Sequence, residues 1–217
     1  EVEPLDGAWK IDEPDLERWL RNRGRNANHI PCAVDVRTAR GRTRLEIEGR
    51  RAVRRMTRWL RRQPGFERLR IRSVCPEVGV RETVRIAGEA IVTYDDYVSG
   101  TVYPDAVCHA YYPIDQHGLR RGEGRFQLLE EGVVPTAPLR ALMPAGCPDL
   151  FAAGRIVSAD RLALSALRVQ ATCMATGQAA GAAAAWCASQ GCSTTDIDAD
   201  AVRDLLRRHG TIVPERD

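Results

Sequence analysis

The sequence contains almost no lysine and no long, strongly apolar run. Only Lys10 is a lysine among its 32 lysine and arginine residues, and 29 acidic residues leave a formal net charge of +3. So small a net charge gives no electrostatic reason to expect a polyanionic partner. The one long uncharged stretch, 169–195, is mostly Ala, Gly and Thr, which favours a buried helix over a membrane span. We therefore expect neither a nucleic acid nor a membrane as a partner.

The seven cysteines form no C-x-x-C pair and are odd in number. This argues against a zinc cluster and a disulfide framework, so we expect no metal, and free thiols in a reducing compartment. The sequence shows no signal peptide, which indicates a cytoplasmic protein. Its first residue is Glu1 rather than Met, which suggests a piece trimmed from a longer protein.

Helix signals occur along the whole chain. Thr43 and Glu46 match the capping box S/T-x-x-E and predict the start of a helix that Pro64 and Gly65 end. Its many arginines, within 50–62, are interpreted as a solvated face rather than as a nucleic-acid surface. Further helices are predicted at Asp12–Arg23, after the cap Thr93, and at Asp198–His209.

Short β-like runs separated by glycine turns fill the middle of the chain and predict an antiparallel sheet. The predicted strands are His29–Arg37, Leu69–Cys75, Val78–Ile86, Ala106–Tyr112 and Phe126–Leu129. Another strand, Leu150–Ala153, is expected to lead through a loop into a helix of small residues. That helix is predicted to begin near Ala166 to Arg168 and to run to Gln190, with Gly191 ending it.

The start of the small-residue helix carries a chemical hypothesis. Its unpaired N–H groups, from about Val169 to Thr172, and the Arg168 side chain attract an anion or a polarised oxygen. The N1 and C2 carbonyl region of a reduced flavin is such a group. Gly177 and Gly181 are expected to allow close packing against a sheet. Ordinary α/β packing produces the same pattern, so the residues alone leave both interpretations open.

The segment "LFAAGRIVSADRLALSALRVQATCMATGQAAGAAAA" resembles the C-terminal signature of the FAD-dependent oxidoreductase family, within the two-dinucleotide-binding flavoproteins. The likeness extends upstream through "EIEGRRAV", "PGFE", "VGVRETVRIAGEAIVTYDDYVSG", "YPIDQH" and "APLRALMP", and covers roughly Leu45 to Ala188. The resemblance implies FAD as the cofactor. The residues that it nominates for FAD contact are Gly154, Arg155, Ser158, Ala166, Arg168 and Val169.

The same resemblance implies an α/β (α+β) fold with three regions. Residues 1–145 would form a β-rich substrate or cap region with flanking helices. Residues 146–191 would be the C-terminal portion of a Rossmann-like FAD-binding domain, and 192–217 a C-terminal helix. The sequence lacks the family's GxGxxG turn, since Gly118–Gly124 has the wrong spacing. We therefore expect that an N-terminal FAD-binding segment is missing from this chain.

Two departures from the family's pattern concern substrate identity and flavin tuning. Asp160, Arg161 and Leu162 stand where the family often has Thr-His-Glu. Gln170 and Ala171 stand where it often has Met-Pro. The substrate therefore stays unidentified beyond a small molecule.

Candidate catalytic residues lie in the predicted sheet. Arg81 and Arg85 are four residues apart, so on a strand both would face the same side and could bind a carboxylate. The run "HAYYPIDQH" adds His109, Tyr111 and His117, which provide imidazoles and a phenol for proton transfer. Arg140 is interpreted either as a residue near the cofactor or as part of a structural ion pair.

Three functions remain open at this point. The first is hydride transfer from a small-molecule substrate to flavin N5. The second is a non-catalytic remnant of the same fold that binds no flavin. The third is a nucleic-acid-binding module built on the arginine-rich helix. The electron acceptor and the oligomeric state are not indicated by any motif.

Overall fold

The computed structural model describes residues 34–117 and 124–215. They belong to two compact units, one formed by Glu1–Thr83 and His117–Gly124, the other by Val84–Gln116 and Arg125–Asp217. The described residues combine helices with small antiparallel sheets, which confirms the predicted α/β (α+β) class. The predicted boundaries at 145 and 191 stay predictions, and so does the Rossmann-like assignment. The predicted helix Asp12–Arg23 lies outside the described residues.

Helix α1, Ala39–Leu60, is the main element of the first unit. It begins at the N-cap Thr38, whose side chain accepts a hydrogen bond from the Gly41 N–H at 3.0 Å. The predicted start at Thr43 is therefore wrong, because Thr43 lies inside the helix. Glu46, the expected partner in the capping box, instead accepts a hydrogen bond from the Val78 N–H at 2.6 Å.

The arginines of α1 are exposed except for the half-buried Arg44, while Leu45, Ala52 and Leu60 are buried. This agrees with a solvated basic face on an amphipathic helix. Arg51 forms an ion pair with Glu48 at 2.6 Å. The expectation that no nucleic acid binds this face stays a prediction.

The chain after α1 is extended but forms no regular strand within the predicted ranges Leu69–Cys75 and Val78–Ile86. It is held along α1 by individual bonds instead: the Arg61 Nε donates to the Leu69 carbonyl at 2.8 Å, and Arg50 donates to the Pro76 carbonyl at 3.1 Å. The two predicted strands are therefore wrong, because the segment has isolated bonds instead of a strand ladder: side chains of α1 bind its first part, and the Ile86 N–H donates to the Ile156 carbonyl at 2.9 Å. Residues 34–37, the described end of the predicted strand His29–Arg37, form a bend and a turn.

In the second unit, helix α2, Tyr94–Ser99, confirms the predicted helix after Thr93. Thr93 and Asp96 form a complete capping box, and Gly100 ends the helix in the left-handed conformation with φ 73°. The hydrogen bonds from Thr93 lower the pKa of the Asp96 carboxyl. The local pattern of a cap, an acid three residues later and a terminal glycine explains why this short helix is readable from the sequence.

Two antiparallel strand pairs form the sheets of the second unit. Strand β1, Ala106–His109, pairs with β4, Thr136–Pro138, and strand β2, Ile114–Gln116, pairs with β3, Arg125–Gln127. Strands β1 and β3 lie within or beside the predicted strands Ala106–Tyr112 and Phe126–Leu129. Strand β4 is not indicated by the sequence, because Pro138 has no N–H to donate to a sheet. Pro138 pairs with Ala106, and the register of the two strands is irregular between Ala106 and Cys108.

The region expected to hold a strand, a loop and one long helix is organised differently. No strand forms at Leu150–Ala153, and a 3-10 helix, Gly154–Ile156, follows. The expected loop is helix α3, Arg161–Leu167, whose N-cap Asp160 accepts a hydrogen bond from the Ala163 N–H at 2.8 Å. Helix α4, Gln170–Gln190, is the predicted small-residue helix, and Gly191 ends it with φ 65°.

Helix α5, Ala199–Arg208, confirms the predicted terminal helix. Its residue Arg203 is 1% exposed and is the largest fully buried side chain of the described residues. Arg203 donates to the carbonyl of Ala106 and, at 2.8 Å, to the carbonyl of Pro214. This arginine therefore joins α5, β1 and the C-terminal segment within the core. Within the described part of the chain, no helix has the length and hydropathy needed to cross a membrane.

Candidate functional site

The start of helix α4 differs from the starts of the other α-helices in the described residues. The helices α1, α2, α3 and α5 begin with side-chain caps from Thr38, Thr93, Asp160 and Asp198. The N-cap of α4 is Val169, which has extended geometry and no side-chain group that can accept a hydrogen bond. The first turn holds no acidic residue, and Gln170 and Ala171 are exposed. This helix start therefore keeps its N–H groups and its positive dipole end available to an anion or a polarised oxygen.

Arg168 occupies the junction between α3 and α4 and is partly buried. Its Nη2 donates a hydrogen bond to the Asp115 carbonyl at 2.8 Å. The Asp115 N–H in turn donates to the Ser165 Oγ at 3.1 Å. Strand β2 is thus fastened to the α3–α4 junction through both backbone groups of one residue. The structure brings a residue of the motif "YPIDQH" against the predicted cofactor residue Arg168.

Gly154 turns the chain toward the first turns of α4. Its φ is +76°, a conformation that is energetically unfavourable for any residue with a side chain. Its N–H donates to the Thr176 Oγ1 at 3.1 Å. A methyl group added to its Cα would lie 3.8 Å from the Cys173 side chain, which is ordinary contact. Glycine is therefore needed here for the backbone angle and not for lack of space.

Arg155 is exposed and lies close enough to Cys173 for its charge to act on that thiol. Burial raises the pKa of Cys173, and the positive charge of Arg155 opposes this rise. Arg155 and Arg168 therefore both add positive charge near the beginning of α4.

Two of the predicted cofactor residues have their side chains inside the protein. Ser158 is 1% exposed, and its Oγ accepts a hydrogen bond from the Gly88 N–H at 3.0 Å. Its own N–H donates to the Ala141 carbonyl at 2.9 Å. Ala166 is fully buried within α3 and does not belong to the start of α4. The assignment of both residues to FAD contact stays a prediction.

The predicted catalytic residues are divided between the two units. Arg81 and His117 belong to the first unit, where the Arg81 Nη1 lies 3.0 Å from the His117 Nε2. A guanidinium group can only donate, so the Nε2 is the acceptor in this contact. This contact does not come from a shared strand, since no strand forms around Arg81.

Arg85, His109 and Tyr111 belong to the second unit, and all three are exposed. His109 ends strand β1, and Tyr111 is 76% exposed. The expected alignment of Arg85 with Arg81 on one side of a strand is wrong, because this segment forms no strand.

Arg140 forms the structural ion pair that was one of its two interpretations. Its Nε lies 3.1 Å from the Asp105 Oδ2, and its N–H donates to the same oxygen at 2.9 Å. This contact with the buried Asp105 raises the pKa of Arg140. The pair connects the 3-10 helix Leu139–Leu142 to the residue before β1.

Two residues that the sequence patterns do not single out hold the candidate site together. Ser165 accepts the Asp115 N–H, and Thr176 accepts the Gly154 N–H while donating to the Thr172 carbonyl at 2.9 Å. Their signal in the sequence is weak, because α4 carries further hydroxyl residues, Thr172 and Ser189, that no pattern distinguishes from Thr176. Their partners are 50 and 22 residues away, respectively.

An uncapped helix start flanked by arginines, with no carboxylate in its first turn, is typical of proteins that bind an anionic nucleotide cofactor. The donors present fit the electron-rich edge of a flavin. The family model described as FAD dependent oxidoreductase matches residues 3–206, so the chain belongs to the FAD-dependent oxidoreductase family. FAD is therefore its cofactor, and its general function is that of a flavoprotein oxidoreductase. No curated protein and no solved structure matches the chain significantly.

Proposed function

We propose that this chain takes part in hydride transfer from a small-molecule substrate to flavin N5, with the start of α4 facing the N1 and C2 carbonyl edge of the flavin. When bound, FAD supplies the hydride acceptor. The observation that carries the proposal is the uncapped start of α4 beside Arg168. Membership in the family supports the redox chemistry, and the donors at this helix start support the orientation.

The N–H groups of Gln170, Ala171 and Thr172 would stabilise negative charge on the flavin as its electron density increases. The end of a helix carries about half a positive charge, and such contacts contribute about 0.3–2 kcal/mol. Arg168 adds a full charge and is held in place by the Asp115 carbonyl. Together these groups favour the reduced cofactor over the oxidised one.

The pair of Arg81 and His117 is proposed to act on the substrate. The imidazole would accept a proton from a substrate heteroatom once the substrate displaces the guanidinium from Nε2, and the guanidinium would bind an anionic group of the same molecule. Their contact of 3.0 Å supports a shared role, because it places both groups side by side. Arg85, His109 and Tyr111 stay candidates for substrate contact.

The sequence contains no GxGxxG turn, so we propose that the FAD pyrophosphate is held by a segment outside these 217 residues. We further propose that the region around α4 belongs to a Rossmann-like domain and that the protein acts in the cytoplasm. The absence of the fingerprint supports the first of these proposals. The resemblance of the sequence to the family supports the second.

A carboxylate placed in the first turn of α4 tests the orientation of the flavin. In Ala171→Asp the new charge lies at the positive end of the helix dipole, so we expect the protein without flavin to gain about 0.3–1 kcal/mol in stability. The same charge repels the reduced flavin, so we expect its reduction potential to fall by about 30 mV, the equivalent of about 1.4 kcal/mol. Thermal unfolding and dye-equilibrated potentiometry measure the two effects.

The matched control is Ala185→Asp. Ala185 is exposed on the same face of α4, about 21 Å further along the axis. The potential of this variant should equal that of the unmodified protein. FAD binding is measured by flavin fluorescence, with the chain alone and with a separately expressed GxGxxG segment. Equal potentials for both variants, or no FAD binding in either setting, would contradict the proposal.

A further inference from the structure

The C-terminal end of α4 contains two cysteines in a motif that brings their side chains together. Gly191 has the left-handed conformation, and its N–H donates to the Cys187 carbonyl. The Cys192 N–H donates to the same carbonyl at 3.1 Å. This six-to-one bond is that of a Schellman motif, in which the side chains before and after the terminal glycine usually contact each other. In this protein both contacting positions are cysteine.

The Cys187 Sγ donates a hydrogen bond to the Ser193 carbonyl at 3.9 Å, and the Cys192 thiol lies close enough to act on it. Burial, followed by this contact with Cys192 and by the charge of Asp149, raises the pKa of Cys187 to about 11. Cys187 is buried, and Cys192 is partly exposed. The outer thiol is thus accessible to a reagent, while the inner one is protected.

We propose that Cys187 and Cys192 form an intramolecular disulfide when the protein meets a low-molecular-weight disulfide, which makes the end of α4 a redox-sensitive modification site. The geometry supports this pairing because the Schellman bonds hold the two Cα atoms on one short loop. Disulfides in reducing compartments are usually transient and serve as redox sensors. The proposal does not depend on the function proposed for α4 at its other end.

The reaction proceeds by two exchanges. The Cys192 thiolate attacks one sulfur of the reagent, the reagent's sulfur–sulfur bond breaks, and one thiolate leaves. The Cys187 thiolate then attacks the Cys192 sulfur of the mixed disulfide and releases the second thiolate. Two protein thiols are oxidised, one reagent disulfide is reduced to two thiols, and the two protons pass from the protein to the released thiolates.

The oxidant has to come from solution rather than from the proposed flavin site. Helix α4 runs from Gln170 to Gln190, so its two ends are about 30 Å apart at 1.5 Å per residue. That distance excludes direct contact between a group at the helix start and the cysteine pair. The redox state of this pair therefore reports on soluble thiols and disulfides.

Oxidation also affects a neighbouring contact. Thr194 is 4% exposed, and its Oγ1 accepts a hydrogen bond from the Asp149 N–H at 3.0 Å. The Thr194 N–H donates back to the Asp149 Oδ1 at 3.4 Å. Asp149 has φ +63°, an unusual conformation for a residue other than glycine. A disulfide at Cys192 would restrain the residues next to Thr194, and with them the segment that leads to Gly154.

Mass spectrometry after alkylation tests the pairing. The reduced protein is incubated with oxidised glutathione under native conditions, quenched with acid, alkylated and digested with trypsin. The fragment Val169–Arg203 contains three cysteines, Cys173, Cys187 and Cys192, and no internal Lys or Arg. We expect the fragment to take up one alkyl group instead of three. Cys173 should carry that group, and the fragment should be about 2 Da lighter than the mass calculated for the reduced fragment with one alkyl group.

Two variants make the result specific. Cys192→Ser should keep both remaining thiols of the fragment alkylatable after oxidation. The matched control Cys173→Ser retains the proposed pair, so its fragment should change from two alkyl groups to none. Three alkyl groups on the oxidised wild-type fragment, a disulfide that includes Cys173, or glutathione that remains attached to Cys192 would overturn the proposal.

Discussion

Replacing Gly154 and Gly177 by alanine in separate variants should change stability in opposite directions. The two substitutions add the same methyl group to the same unit of the protein. Gly154 has φ +76°, whereas Gly177 lies within helix α4 and has ordinary helical geometry. A methyl group at Gly177 would meet no atom of the described residues within 4 Å. The close packing expected at this glycine is therefore not supplied by the described residues.

The magnitude at Gly154 comes from the backbone and not from a clash. The nearest atoms, those of Cys173, would lie 3.8 Å from the new methyl group. Alanine in the left-handed region costs about 1–2 kcal/mol, and about 0.4–1 kcal/mol is regained because alanine restricts the unfolded chain. We expect a net loss of about 1 kcal/mol. Gly177→Ala should gain about 0.5–1 kcal/mol, since alanine is the better helix former.

Urea denaturation followed by the fluorescence of Trp186 measures both variants. Trp186 lies on α4 and is partly buried, so it reports on the unit that contains both glycines. The other tryptophans, Trp9, Trp19 and Trp59, are replaced by phenylalanine in all proteins that are compared. Equal slopes with shifted midpoints would show a change in stability alone. A Gly154→Ala protein that is as stable as its parent, or more stable, would refute the reasoning.

Further predictions concern the core, a helix cap and the cysteine pair. Arg203→Met should lower the free energy of unfolding, measured by chemical denaturation, by about 3 kcal/mol. The reason is that two carbonyl groups lose a charged donor, and each loss costs about 1–3 kcal/mol. A decrease below about 1 kcal/mol would contradict this. Hydrogen bonds from Thr93 lower the pKa of Asp96, so their contribution is complete above the carboxyl's unfolded pKa and is lost as the pH falls through the lower folded value. Asp96→Asn should therefore cost about 1 kcal/mol at neutral pH and flatten the decline of thermal stability in acid; a decline as steep as that of the parent would argue against it. A Cys187–Cys192 disulfide should raise the melting temperature of the oxidised protein through about 2 kcal/mol of loop restraint, with no rise in Cys192→Ser.

Features that depend on neighbouring residues are predictable from this sequence. The helix after Thr93 follows from a cap, an acid three residues later and a glycine stop, all within one short segment. The end of α4 follows from Gly191 for the same reason. Helix α3 could have been found by the same rule, since Asp160 is a strong N-cap residue. Its short, apolar sequence after an expected strand favoured a loop instead.

Features that depend on distant contacts are not predictable in this way. Thr38 and Thr43 are both acceptable caps, and the choice depends on Glu46, which bonds to Val78, 32 residues away. The contact between Arg81 and His117 spans 36 residues and does not need the strand that period-two spacing suggests.

The candidate site shows the same division. Gly154, Arg155, Arg168 and Val169 are nominated for FAD contact by the resemblance, and that contact stays a prediction; the structure places all four around the start of α4. The hydrogen bonds that attach this site to strand β2 could be found only from the structure, because they use backbone groups of Asp115. Backbone donors and acceptors are the same for nearly every residue, so no sequence pattern marks which of them is used.

The buried arginine of α5 has a consequence for biosynthesis. The Arg203 guanidinium donates a hydrogen bond to the Ala106 carbonyl of strand β1, although Arg203 comes 97 residues later in the chain. The ribosome adds about 5–20 residues per second, so β1 leaves the exit tunnel several seconds before its partner. During that interval the Ala106 carbonyl has water rather than the Arg203 guanidinium as its hydrogen-bond partner. The native contact between β1 and α5 can therefore form only after α5 has been synthesised.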